Sequence, residues 1–249
     1  MPQSPSQSQL DAAVAAGRLD DALVSEGLVW PQSATSLQAQ SCRFVGVEFR
    51  GRDLSGARFG TCTFIDCSFR SAELAECSFD RCRLYDPDRE TGCDFSFAVL
   101  THARFEGCDL TTVSFRRSRA FGIELIRCQA AGIDFSGSDF GLGAGDAIAA
   151  SFIDCNLAYA EFSYTALNGA DFSGSRLSHS IWHDADLAGA DLSRCRLDNI
   201  EAKGLTLRGA DLRGAQFNQL DPRLIDLSQV KMFADQGLIV LRTLGIDVE

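Results

Sequence analysis

The chain has 249 residues, 45% hydrophobic and 23% charged, with a formal net charge of −11. No apolar run approaches the roughly 18 residues that cross a bilayer, and the excess of acid excludes general nucleic-acid binding, which needs lysine and arginine against phosphate. Met1–Leu10 is polar, with neither a basic nor an apolar region of a secretory signal, so ten cysteines are expected as thiols of a cytoplasmic protein rather than as a disulfide framework.

Residues 1–40 read as an N-terminal extension. Ser8 and Asp11 suit the start of a short helix through Ala16, and Leu19 and Val24 flank Asp20 as a hydrophobic staple. Gly27 and Pro31 end the segment. Two roles stay open: a lid over the first exposed edge of the domain behind it, or a partner-binding element.

From residue 41 to 220 the pattern is a repeat. Between Phe44 and Phe217 a large apolar residue recurs every five positions, and 29 of 33 such centres are Leu or Phe. Two residues before each centre stands a small residue, and all ten cysteines fall at that position, among them Cys42, Cys62, Cys67 and Cys195. Thiols placed so act as small buried hydrophobes; their five-residue spacing does not suit a zinc site. A period of five matches neither an α-helix nor a plain strand, and fits a chain that turns a corner at every pentad.

The segments Ala185-Asp186-Leu187-Ala188-Gly189 and Ala210-Asp211-Leu212-Arg213-Gly214 resemble the pentapeptide-repeat proteins. That resemblance implies an all-β solenoid, a right-handed four-sided β-helix with four pentads per coil. About eight coils at ~4.8 Å would make a rod roughly 40 Å long.

Two breaks interrupt the phase, at residues 85–92 and 141–149. The first holds Tyr85, Asp86, Pro87, Asp88, Arg89, Glu90 and Thr91; the second holds Leu142, Gly143 and Asp146 in a Gly/Ala-rich stretch. A lone GxGxG there, with no following lysine, is a weak phosphate signal. Leu84-Tyr85-Asp86 through Phe95-Ser96, Cys108-Asp109-Leu110, and Phe115-Arg116 through Cys128 resemble the Qnr-type quinolone-resistance proteins. So does Val230-Lys231-Met232 through Ile246. The resemblance implies that both loops project and serve to protect DNA gyrase and topoisomerase IV. Contacts are accordingly expected at Tyr85, Asp86, Asp88, Arg89, Glu90, Thr91, Leu142, Gly143 and Asp146.

Charge is uneven. Residues 128–193 carry nine acids against the single base Arg176. Asp134, Asp139, Asp171, Asp191 and Asp211, each just before a centre, are expected to face outward as an acidic face. Asp171, Asp191 and Asp211 should stack at ~4.8 Å. The same aspartates also suit a plain solvated repeat. An acidic rod can imitate duplex DNA, which carries a charge every ~1.7 Å, and the resemblance implies such mimicry toward the topoisomerase.

Residues 221–249 end the chain with a helical pattern from Asp235, a candidate N-cap, to Gly245, a candidate C-cap. Met232, Phe233, Leu238, Leu241 and Leu244 exceed what one coil end absorbs, and the resemblance implies a homodimer joined there. The alternative is a monomeric cap. No GxSxG, HExxH or Walker signature is present, and His179, His183 and Asp184 fit no ligand spacing. The expectation is a binding protein without catalysis, cofactor or metal. A scaffold for a different protein partner is the second reading.

Overall fold

The computed structural model describes residues 4–141 and 150–247. Its elements are short: helix α1 (Gln7–Ala15), β1 (Arg18–Asp20), β2 (Leu23–Ser25), β3 (Gln38–Gln40), β4 (Arg43–Val45), β5 (Arg58–Gly60), β6 (Thr63–Ile65) and β7 (Ser78–Asp80). There follow β8 (Tyr85–Asp86), β9 (Thr91–Gly92), β10 (Arg104–Glu106), β11 (Glu124–Ile126), β12 (Ser151–Ile153) and helix α2 (Ala234–Thr243).

These strands are rungs of a β-solenoid. β1, β3, β5, β7, β10, β11 and β12 lie side by side in parallel, and single bridges continue the same side through Asp171, Asp191, Asp211 and Lys231. A second side runs through β2, β4 and β6 to Arg83, Asp109 and Arg176. The third includes Glu48, Asp94, Asp134 and Glu161, and the fourth Asp53, Glu73, Arg119 and Asp139. Partners along a side are twenty residues apart except across the insertions, where pairs such as Ser68 with Asp94 and Ser78 with Arg104 span the first, and Glu124 with Ser151 and Asp134 with Glu161 the second. Both insertions therefore leave the register intact.

The five-residue period follows from the corners. Each centre points inward, and the residue two after it turns the chain with a left-handed backbone, as at Thr61 (φ 46°), Glu76 (φ 59°) and Gly169 (φ 69°). The next small residue then points inward beside the next centre. Phenylalanines stack rung upon rung: Phe49 on Phe69 at 4.5 Å, Phe69 on Phe95 at 4.4 Å and Phe95 on Phe115 at 5.0 Å between ring centroids. Rings of adjacent sides meet edge-on, as Phe79 and Phe95 do at 6.2 Å.

All ten cysteines are free and buried, and they do more than fill space. Cys82, Cys108, Cys128 and Cys155 each donate an S–H to the inward carbonyl of a centre on the preceding rung: Phe59, Phe79, Phe105 and Leu125, at 3.2–3.4 Å. Ser175 does the same to Phe152 at 2.5 Å. The thiol thus adds a second, weak hydrogen bond to a carbonyl that the parallel ladder already engages, which alanine would not supply. Burial pushes the Cys67, Cys77 and Cys195 thiols up to about 12.

The stack reaches past both boundaries expected from the sequence. β1 pairs with β3, and β2 with β4, so residues 18–40 are a rung of the rod rather than part of an extension. Leu19 and Val24 are buried inward centres, not a staple. Beyond residue 220, Thr206 still bridges Asp226 and Asp211 bridges Lys231. Helix α1 begins at Ser6, not Ser8: the Ser6 hydroxyl accepts from the Gln9 amide, and the Gln9 side chain accepts from the Ser6 amide. Leu10 and Val14 of α1 are buried, so the helix covers the first rung with its apolar side. Helix α2 starts after Phe233, with Asp235 inside its first turn, and stops at Leu244 with Gly245 left-handed behind it. Buried Gln236 fastens it, donating to Leu212 and Ala215 carbonyls at 2.7 Å and accepting from Phe233 N at 2.8 Å.

Candidate functional site

The first insertion is a small antiparallel hairpin in which Tyr85 faces Gly92 and Asp86 faces Thr91. Cys93 N donates to Leu84 O at 2.9 Å and closes its neck, which is why the rung spacing survives. Pro87, Asp88, Arg89, Glu90 and Thr91 are exposed, whereas Tyr85 is half-buried. Asp86 differs from expectation: it is only 5% exposed and accepts from the Asp88 amide at 3.0 Å. Its carboxylate shapes the turn instead of facing a partner. Arg89 pairs with Asp66 on the preceding rung and lies 3.9 Å from Asp86. At Gly92 a Cβ would sit 2.6 Å from Thr111 O and 2.7 Å from the carbonyl carbon of Thr112. Only glycine lets the hairpin root lie against that corner. Leu142, Gly143 and Asp146 of the second insertion fall outside the described residues.

The five aspartates expected on one acidic face occupy three sides. Asp171, Asp191 and Asp211 are in register on the first side, Asp134 is on the third and Asp139 on the fourth. Their carboxylates also have a local task. Asp134, Asp171 and Asp191 each accept, at 2.8 Å, from the amide two residues on, at Ser136, Ser173 and Ser193. That amide lies on the corner between ladder bonds, so aspartate before a centre completes the backbone pairing. Charge display comes in addition to this role.

Ion pairs thin the acidity unevenly. Arg116 approaches Asp134 at 3.5 Å and Arg213 binds Asp211 at 2.6 Å, while among the described residues Asp171 and Asp191 have no salt-bridge partner. The Arg213 guanidinium holds the Asp211 carboxyl down to about 2. A depressed carboxylate of this kind stabilises the fold fully above its ordinary value of 3.8, and that stabilisation is lost as pH falls through about 2. Arg213→Gln should return the Asp211 titration toward 3.8 in a carboxyl NMR titration; a midpoint left near 2 would show that Arg213 is not the cause.

At the far end, Met232, Leu238 and Leu241 are half-buried, while Phe233 is 53% and Leu244 41% exposed. Leu224 and Ile246 are exposed beside them, a feature sequence reasoning missed because neither follows the helical pattern. Between α2 and the last rungs lies a cleft of about 690 Å³ reached by Ile200, Phe217 and Ile239. Among the described residues no three His, Cys, Asp or Glu side chains converge to hold a metal ion.

The family profile described as pentapeptide repeats matches in eight copies, over residues 42–85, 91–117, 146–174 and 183–219, more than half of the chain. The chain belongs to the pentapeptide-repeat family. This pentapeptide-repeat chain is 34% identical over 145 residues to the quinolone resistance pentapeptide repeat protein QnrB96 of Scandinavium goeteborgense, covering 57% of this chain and 58% of the relative. It is 36% identical over 97 residues to the pentapeptide repeat protein QnrB4 of Escherichia coli, covering 38% of this chain and 45% of that one. The matched stretches thus span about half the length of these curated relatives. A trypsin-treated variant of QnrB1, a plasmid-mediated fluoroquinolone resistance protein, superposes with a TM-score of 0.72 at 31% identity. That match covers 85% of this chain and all of the other. Full-length QnrB1 superposes at 0.62 and 26% identity, over 84% of this chain and all of the other.

Proposed function

We propose that this chain is a Qnr-type protein that binds DNA gyrase, topoisomerase IV or both and relieves their poisoning by quinolones or a related inhibitor. It works in the cytoplasm by occupying a surface, without catalysis, cofactor or metal. The observation that carries this reading is the likeness to QnrB1 over 85% of the chain, with a hairpin built into the register at the first insertion. The exposed residues Asp88, Arg89, Glu90 and Thr91 are the proposed contacts there, with Tyr85 at the base and Asp86 holding the turn. Leu142, Gly143 and Asp146 are proposed for the second insertion. Asp171 and Asp191 supply an unpaired acidic stripe suited to a basic, DNA-binding partner surface, and salt should weaken that approach. Phe233 and Leu244, exposed beside the half-buried Met232, Leu238 and Leu241, are proposed to meet a second copy in an end-to-end homodimer.

The test is gyrase supercoiling of relaxed plasmid in ciprofloxacin with purified protein titrated in. Rescue is expected, and deletion of residues 86–91 should abolish it while the rod stays folded. Protection retained by the deletion would remove the first hairpin from the mechanism. No effect of the intact chain on supercoiling would favour a scaffold for another partner.

A further inference from the structure

Two tyrosines stand where the fold has no use for them. Tyr159 and Tyr164 are 61% and 69% exposed, at the two corners that bound the third side of one rung. Both adopt left-handed backbone, φ 62° and 60°, which costs a non-glycine residue about 1–2 kcal/mol. On the preceding rung the same corners are turned by Gly132 and Gly137, so neither ring is covered from that direction. Below, Tyr159 stacks on His179 at 5.0 Å and 9°, which braces one ring and leaves its other face open. Nothing in the core gains from these rings.

The surface between the corners is acidic. Asp134 and Glu161 lie on adjacent rungs of the third side; Arg116 approaches Asp134 at 3.5 Å, whereas Glu161 has no salt-bridge partner among the described residues and supplies the unpaired charge. The surrounding segment 128–193 carries nine acids and one base, and that base, Arg176, lies on the second side. Two open aromatic faces beside carboxylates match a guanidinium or ammonium group, which gains from both the ring quadrupole and the charge.

We propose that the third side at Tyr159 and Tyr164 is a docking surface for an arginine- or lysine-rich polypeptide segment. The surface lies two sides away from the Asp171–Asp191 stripe, and Tyr159 stands on the same edge of the rod as the first hairpin, three rungs further along. It goes beyond the topoisomerase reading and does not depend on it. Exposed aromatic anchors supply most of the selectivity, and the acids supply the approach.

The test titrates a fluorescent octa-arginine peptide against the full chain at physiological salt. Y159N/Y164N keeps the net charge and suits the left-handed corners, so it should fold at least as stably as the parent. It should weaken peptide binding by about tenfold, as the loss of two exposed cation–π contacts implies. D171N/D191N, which removes two charges from the first side, should weaken it less. Binding within twofold of the parent in the tyrosine variant would overturn the proposal. So would a greater loss in the aspartate variant, or a tyrosine variant that melts several degrees lower. Gyrase protection, measured separately on the same variants, reports on the other reading alone.

Discussion

Truncation of Phe95 to alanine is expected to lower the unfolding free energy by about 3–5 kcal/mol and to split a single unfolding transition in two. Phe95 is fully buried, stacked at 4.4 Å on Phe69 and 5.0 Å on Phe115, with Phe79 and Phe105 edge-on at 6.2 and 6.1 Å. In a solenoid each rung is stabilised only by its neighbours. A cavity at one rung therefore weakens coupling between the halves as well as lowering the sum. Urea denaturation followed by circular dichroism checks both parts. One transition, shifted by less than about 1 kcal/mol, would mean that the stack relaxes around the void.

The second large effect is expected at Gly92. In Gly92→Ala the added methyl meets the backbone of Thr111 and Thr112 at 2.6–2.7 Å, and backbone cannot swing aside as a side chain does. Overpacking of this kind costs about 1–3 kcal/mol, enough to raise the population of an opened hairpin by about tenfold. Trypsin should then cut after Arg89 about tenfold faster, while the melting of the rod changes little. Protection of gyrase should fall with it, on the reading proposed above. An unchanged cleavage rate would show that the hairpin root yields without cost.

Much of this molecule is legible in its sequence, because a five-residue corner demands a large centre and a small companion whatever the surface does. The repeat fails to announce itself in residues 18–40 for a physical reason. There the residues at the centre positions are Leu19, Val24, Trp30, Ala34 and Ala39, and the step from Val24 to Trp30 is not five. Trp30 takes the place of the single centre between Val24 and Ala34, one residue out of phase, with its ring edge-on to Phe49 at 4.8 Å. The acidic face was misplaced for a different reason. Asp134 and Asp171 share a position within the pentad, but the insertion between them and the count of sides put them on different sides of the rod. The turn-forming role of Asp86 and the corner amides satisfied by Asp134, Asp171 and Asp191 depend on backbone geometry that spacing alone does not carry. Nor does spacing distinguish a cysteine that donates a hydrogen bond from one that is merely small.

That last distinction reaches beyond stability. A thiol held by a carbonyl and closed off by the rungs around it meets an electrophile only when its own stretch of rod breathes. With cysteines from Cys42 to Cys195, the chain carries chemical timekeepers along most of its length. The pace at which each one is alkylated records how often that rung opens, so the rod keeps its own log of where it is weakest.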